Sequence, residues 1–221
     1  MTGRPLVPWP EYLRQWSALH GGVEPSAGLV RGWLRLVYAL ARTPAGLGVS
    51  PSAVTLAGVV MTAAAVPAAA GGGRWPVLAA AAIGLAGLLD SLDGAVAVLS
   101  GRVSRWGGLL DSVADRVGEV ALGAVLVVLG APLWLVGVGV SAGWLLEYVR
   151  ARAGALGVAD AGVISVGERP TRTVLVAMFA LAAGIHPPQS GLLAVLAGAA
   201  LALLSVVGLA QVLVAVRRLL T

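Results

Sequence analysis

Cysteine is absent from the 221 residues, and so is lysine. Without thiols there is no disulfide framework, no thiolate nucleophile and no thiolate metal site. A bound metal would have to be held by oxygen, or by one of the two histidines, His20 and His186. Charge of either sign is scarce: 11% of the residues are charged, against about 25% in a soluble domain. An apolar leader is lacking too. Residues 1–24 are polar and rich in Pro and Trp, so no cleavable signal sequence is expected.

What fills the chain instead is apolar. Hydrophobic residues make up 58% of it and the mean hydropathy is +0.92, too high for a water-facing surface. Runs of about 20 apolar residues, each long enough to cross a bilayer, recur along most of its length. The expected fold is all-α: a polytopic membrane protein with six transmembrane helices. These spans are expected at about 52–70, 76–99, 106–130, 132–150, 171–185 and 191–216. The clusters "AGGGRWP", "GAP" and "GIHPPQSG" mark turns between them.

Ahead of the first span, Leu29 to Ala41 is apolar but carries Arg31 and Arg35, which predicts an N-terminal amphipathic helix lying in the cytoplasmic interface. The expected domain division is a 1–50 interfacial segment and a 51–221 six-helix membrane domain. With six spans both termini share one side. Thirteen arginines fall on that side (residues 4, 14, 31, 35, 42, 102, 105, 150, 152, 169, 172, 217 and 218), and Arg74 falls on the other. Such a bias predicts a multi-pass protein of the cell membrane with its termini in the cytoplasm. No internal repeat supports an inverted-repeat transporter.

Against this background four aspartates stand out in "LLDSLDGAVAVLSGRVSRWGGLLDSVADRVGE", residues 88–119. Asp90 and Asp93 are three apart, Asp111 and Asp115 four apart, so each pair shares a helix face. On consecutive antiparallel helices the two faces can meet just inside the cytoplasmic boundary. An aspartate at the bilayer centre costs on the order of 2.5–3.5 kcal/mol, and four together raise one another's cost of ionisation. They could be interfacial charges paired with Arg102, Arg105 and Arg116. A hard-cation site is the stronger reading, because clustered carboxylates without His or Cys suit Mg²⁺ or Mn²⁺, and two such ions would offset most of the charge. A cation transporter would spread acids through the membrane, whereas here they are confined to one third of its depth. Gly94, Gly107 and Gly108 would let a backbone or ligand approach closely. His20 and His186 fall on opposite sides of the membrane and cannot share a metal. Glu119 and Glu147 lie within spans, where either could orient Arg116 or Arg152.

The order Asp90-x2-Asp93-Gly94-x2-Ala97, then Gly107-x3-Asp111-x3-Asp115, resembles the signature of the CDP-alcohol phosphotransferase family. The stretches "GVSPSAVTLAG" and "YVRARAGALGV…GERPTR" are similar to its first-span entry and to its fourth-to-fifth-span region. One position departs: the signature's arginine after the alanine is Val98 here, and Arg102, one turn on, could replace that charge if the helix persisted past Gly101. The resemblance implies a phosphatidyltransferase that moves the phosphatidyl group of CDP-diacylglycerol to a polar alcohol and releases CMP. It implies that Asp90, Asp93, Asp111 and Asp115 hold two Mg²⁺ or Mn²⁺ ions, with Asp115 also the catalytic base. It places the donor nucleotide by Asp93, Gly94, Ala97, Arg102 and Gly107. Arg116, Arg152, Arg169 and Arg172 are the candidates for binding a phosphorylated acceptor, inositol phosphate first and glycerol 3-phosphate next. A homodimer is also implied, and no nucleic-acid partner is expected. A non-catalytic relative is the alternative that Val98 leaves open.

Overall fold

A computed structural model describes residues 6–19, 28–158 and 164–221; His20, Arg4 and Asp160 lie outside them. The described residues form eight α-helices and no strand: α1 (Trp9–Leu19), α2 (Leu29–Gly46), α3 (Pro51–Ala70), α4 (Pro76–Ser100), α5 (Arg105–Leu129), α6 (Leu133–Ala155), α7 (Arg169–Ile185) and α8 (Ser190–Leu220). A 3₁₀ turn, Pro187–Gln189, joins the last two. Helices α3 to α8 match the six expected apolar runs to within a few residues at most ends. Helix α1 was not expected: its "WPEYLRQWSAL" is too polar to register as an apolar run, yet Tyr12 is buried in it.

Three helical stretches, 51–70, 76–100 and 187–220, are long and apolar enough to cross a membrane by length and composition. The other three expected spans are interrupted or short. Helix α5 carries Arg105, Asp111, Asp115, Arg116 and Glu119, α6 carries Glu147, Arg150 and Arg152, and α7 has 17 residues. Leu56, Leu78, Met178, Leu192 and Leu203 all expose more than half of their surface. The buried positions are mostly small, such as Ala65, Ala79, Ala180 and Ala197. Large apolar groups outside and small ones inside is the pattern of helices packed in lipid, where close approach rather than water exclusion drives association.

The chain forms two compact units. The first comprises residues 1–60 and 85–115, the second 61–84 and 116–221. The N-terminal segment is therefore part of the unit that carries all four aspartates, and the expected boundary at residue 50 is not an edge of either unit.

In the first unit α2 buries Leu34, Val37, Ala41 and Ala45, a spacing that makes one helical stripe. Against it packs α1, through an aromatic group of Trp9, Tyr12 and Tyr38 with centroids 5.2–5.7 Å apart. The Tyr38 hydroxyl donates to the Val7 carbonyl at 3.0 Å, and the Arg35 guanidinium lies 5.9 Å from the Trp9 ring, a cation–π pair. Helix α3 opens as its sequence demands. Ser50 caps the Ala53 N–H at 3.2 Å, and Pro51 occupies the first helical position, where its missing N–H costs nothing. In the second unit Gly139 admits Leu201 of α8 and Gly184 admits the start of α4; an added Cβ would meet those neighbours at 2.8 and 2.6 Å.

Candidate functional site

Helices α4 and α5 bring the aspartates together in the first unit. Asp90, Asp111 and Asp115 are half-buried, and each offers a carboxylate oxygen within 4.8 Å of the others. Three convergent hard oxygen donors, with no sulfur or imidazole among them, suit a Mg²⁺ or Mn²⁺ ion. Asp93 is turned differently. It is 7% exposed, and its Oδ2 accepts a hydrogen bond from the Thr55 hydroxyl at 2.6 Å. Thr55 stands one turn inside α3, and a hydroxyl that fixes a buried carboxylate decides which oxygen of Asp93 stays available to a ligand. Sequence reasoning missed Thr55, although "SPSAVT" places it one turn after a strong helix start.

A cavity of about 390 Å³ opens at these groups, with Asp90, Asp93, Gly94 and Asp111 in its lining. A Cβ built on Gly94 meets nothing within 4 Å, so the glycine leaves the wall open towards that space. Val98 lines the same cavity at 2% exposure, packed in the core with Leu34 and Val37. Helix α1 contributes Tyr12, Trp16 and Leu19, and α2 contributes Val30 and Trp33. Burial pushes the Tyr12 phenol up to about 12, so this wall is neutral. None of the described residues in the lining carries a positive charge.

Arg102 does not stand in for the missing arginine in the way the sequence allowed. Helix α4 ends at Ser100, and Gly101 has φ +64°. The Gly101 N–H bonds Val98 O at 3.2 Å and the Arg102 N–H bonds Ala97 O at 2.9 Å, which is a Schellman close. Arg102 is exposed and reaches back to the Gly48 carbonyl at 3.1 Å, tying the α4–α5 link to the turn before α3. Ala97, Arg102 and Gly107 lie outside the cavity lining. Gly107 instead serves the start of α5, where its N–H is capped by Ser104 Oγ at 3.0 Å.

The acceptor candidates sit in the second unit. Arg172 is 3% exposed and Glu119 5%; the two form a buried ion pair, and Arg172 also donates to the Gly167 carbonyl. Arg116 approaches the same Glu119 oxygen at 3.5 Å. Gly143 makes room, since a Cβ there would lie 3.1 Å from the Arg172 guanidinium carbon. The space beside the pair is about 10 Å³, room for a water at most, so Arg172 as it stands here offers nothing to an acceptor phosphate. Arg152 is exposed in the last turn of α6, and Arg169 is half-buried at the first residue of α7.

The approach to α7 is held from three sides. Arg150 pairs with Glu168 through both guanidinium ends, the Ser165 N–H and hydroxyl donate to Glu168, and Gln211 accepts from the Val166 N–H at 3.0 Å. Burial works against ionisation of Glu168, yet Arg150 and Ser165 outweigh it and hold the carboxyl down at about 2. Glu147 pairs with Arg150 at 3.7 Å. His186 closes α7 through its N–H on Ala182 O at 2.8 Å.

The model of the CDP-alcohol phosphatidyltransferase family matches residues 48–216. Among curated relatives, the archaetidylinositol phosphate synthase of Aeropyrum pernix is 36% identical over 163 residues, 71% of this chain and 79% of that protein. The phosphatidylinositol phosphate synthase of Streptomyces avermitilis is 34% identical over 153 residues, 63% of this chain and 59% of that one. Among solved structures, the phosphatidylinositol phosphate synthase of Mycobacterium tuberculosis with CDP-DAG bound superposes with a TM-score of 0.65 at 25% identity, covering 82% of this chain and 94% of that one. The same enzyme with manganese and citrate gives 0.66 at 25% identity, covering 82% and 88%.

Proposed function

The chain belongs to the CDP-alcohol phosphatidyltransferase family, and from that premise we propose that it transfers the phosphatidyl group of CDP-diacylglycerol to inositol phosphate with release of CMP. The observation that carries the proposal is the convergence of Asp90, Asp111 and Asp115 within 4.8 Å beside an open cavity. The relatives differ in the lipid their names give, archaetidyl or phosphatidyl, but agree on inositol phosphate, which supports that acceptor over glycerol 3-phosphate.

Asp90, Asp111 and Asp115 would hold the divalent ion, with Asp93 set by Thr55 as a further ligand for a second one. Such an ion supplies charge neutralisation for the diphosphate and for the CMP that leaves. Asp115 accepts the proton of the acceptor hydroxyl. The acceptor oxygen then forms its bond to the phosphatidyl phosphorus as the bond from that phosphorus to the CMP oxygen breaks. Gly94 gives the donor backbone-close access. Arg152 and Arg169 bind the acceptor phosphate, to which Arg offers paired donors, with Arg116 at the edge of the Glu119 pair. Arg172, pinned by Glu119 and Gly167, keeps the start of α7 and hence Arg169 in register.

The wider arrangement proposed with this function is six transmembrane spans, α3 to α8, with α2 and α1 at the interface. The division proposed with it is a 1–50 interfacial segment and a 51–221 six-helix membrane domain. The site and both termini face the cytoplasm, where CMP and the acceptor exchange while the diacylglycerol stays in lipid. The test is to incubate the purified protein in nanodiscs with CDP-diacylglycerol, Mn²⁺ and either inositol phosphate or glycerol 3-phosphate, and to weigh the lipid product. A phosphatidylinositol phosphate mass that requires the metal is expected. Product with glycerol 3-phosphate alone, or CMP release without metal, would overturn the assignment.

A further inference from the structure

The cavity at the aspartates is lined by two chemically different sets of residues. Helices α4 and α5 present the carboxylates of Asp90, Asp93 and Asp111, and α1 and α2 present the neutral aromatic groups of Tyr12, Trp16 and Trp33. Its inner wall is closed, with Tyr12 at 1%, Val37 at 1% and Val98 at 2% exposure, while the rim is open, with Trp33 at 44% and Leu19 at 56%. A ligand that fills it must join a metal-bound anionic part to a flat or apolar part. The volume of about 390 Å³ lies at the small end of the range that holds a compact ligand, about 300–1,000 Å³, and two long acyl chains do not fit.

That leaves the nucleoside end of a nucleotide-linked donor. We propose that α1 and α2, which precede the family-matched region beginning at residue 48, form the base-binding wall of the donor pocket, with Trp16 and Trp33 as the stacking residues. The inference rests on the transferase reading above and deepens it. Base stacking on an aromatic face is strong enough to matter for a nucleotide and needs no hydrogen-bond code. It also answers the substitution at Val98. Where the family signature has an arginine, this chain has a buried valine, and no cationic side chain lines the cavity among the described residues. The hold on the donor then comes from the ion and from the aromatic wall.

Two soluble probes separate the two sets: CDP, which has the base, and inorganic pyrophosphate, which has only the phosphates. The full chain in nanodiscs is titrated with each in the presence of Mn²⁺, followed by calorimetry. For Trp33→Ala and Trp16→Ala the affinity for CDP falls on the order of tenfold each, while the affinity for pyrophosphate stays as in the wild type. Trp33→Phe, which keeps an aromatic face, recovers most of the CDP affinity. Trp33 is a rim residue, so its variants keep the inner wall intact if Trp16→Ala alone disturbs the fold. If CDP affinity is unchanged in Trp33→Ala and Trp16→Ala, or if CDP and pyrophosphate weaken together in Trp33→Ala, the proposal is wrong. A wild-type protein that binds neither probe with Mn²⁺ refutes the transferase reading instead.

Discussion

Both units of this protein bury acidic side chains, and they treat them in opposite ways. In the second unit Glu119 is met by Arg172 and approached by Arg116, with Gly143 cut back to admit the guanidinium. The charge is settled within the chain, and the space beside it holds at most a water. In the first unit Asp90, Asp111 and Asp115 converge beside a cavity whose lining, among the described residues, contains carboxylates and no cation. Three convergent carboxylate oxygens are a donor set that suits an entering divalent cation. Breaking an internal pair leaves an uncompensated buried charge, whereas removing one of several convergent carboxylates relieves repulsion. The same substitution, acid to neutral, should therefore cost stability in one unit and function in the other.

The largest expected effect is catalytic. Asp115→Asn lowers turnover by about 10²–10⁴-fold, the range for losing a general base, while the unfolding midpoint stays close to the wild type. Retained turnover would remove Asp115 from the role of base. The counterpart is Glu119→Ala, which should destabilise the protein by about 3–5 kcal/mol, the cost of orphaning Arg172, as read by thermal unfolding in detergent. The double change of Glu119 to Leu and Arg172 to Met should recover most of that loss. If Asp111→Asn destabilises as much as Glu119→Ala, the contrast between the units fails.

A smaller effect is expected at Thr55. Thr55→Val deletes the hydrogen bond to Asp93 and should cost about 1.5–3 kcal/mol of stability, together with a drop in Mn²⁺ affinity measured by calorimetry. An unchanged Mn²⁺ affinity would make Thr55 a packing residue only. The smallest effect is at the head of α7. The Glu168 carboxyl is held near 2 against an ordinary value of 4.5. The stability it contributes is therefore complete above about 4.5 and fades as pH falls towards 2. Glu168→Gln should lower the unfolding midpoint at neutral pH and flatten its acid limb, so that variant and wild type converge as pH falls towards 2.

How much of this could be read from the chain follows from where the information sits. The apolar runs, the Pro and Gly breaks and the aspartate spacing are local, and helices α3 to α8 and the acidic trio follow from them. Gly101 after "VLS" was likewise a visible helix stop, and it removes the route by which Arg102 would have replaced the arginine at Val98. Contacts between distant residues were not legible. Nothing in "DRVGE" or "ERPTR" says that Glu119 and Arg172, 53 positions apart, meet in the interior, so Arg172 reads as a candidate for binding an acceptor phosphate. Thr55 meets Asp93 across 38 positions and was invisible for the same reason. Helix α1 escaped because its apolar stripe, Trp9, Tyr12, Leu13 and Trp16 at helical spacing, is short and set among proline and polar residues, so it forms no span-length run.

The central claim is that the first unit's carboxylates bind a divalent cation. It is tested most directly by the thermal unfolding midpoint of the wild type, Asp90→Asn and Asp111→Asn, each with and without Mn²⁺. Binding to the folded state alone raises the midpoint, so the wild type should gain stability with Mn²⁺ while both variants, at least as stable as the wild type without metal, should gain little. A wild type indifferent to Mn²⁺, or variants that respond as strongly as it does, would contradict the claim.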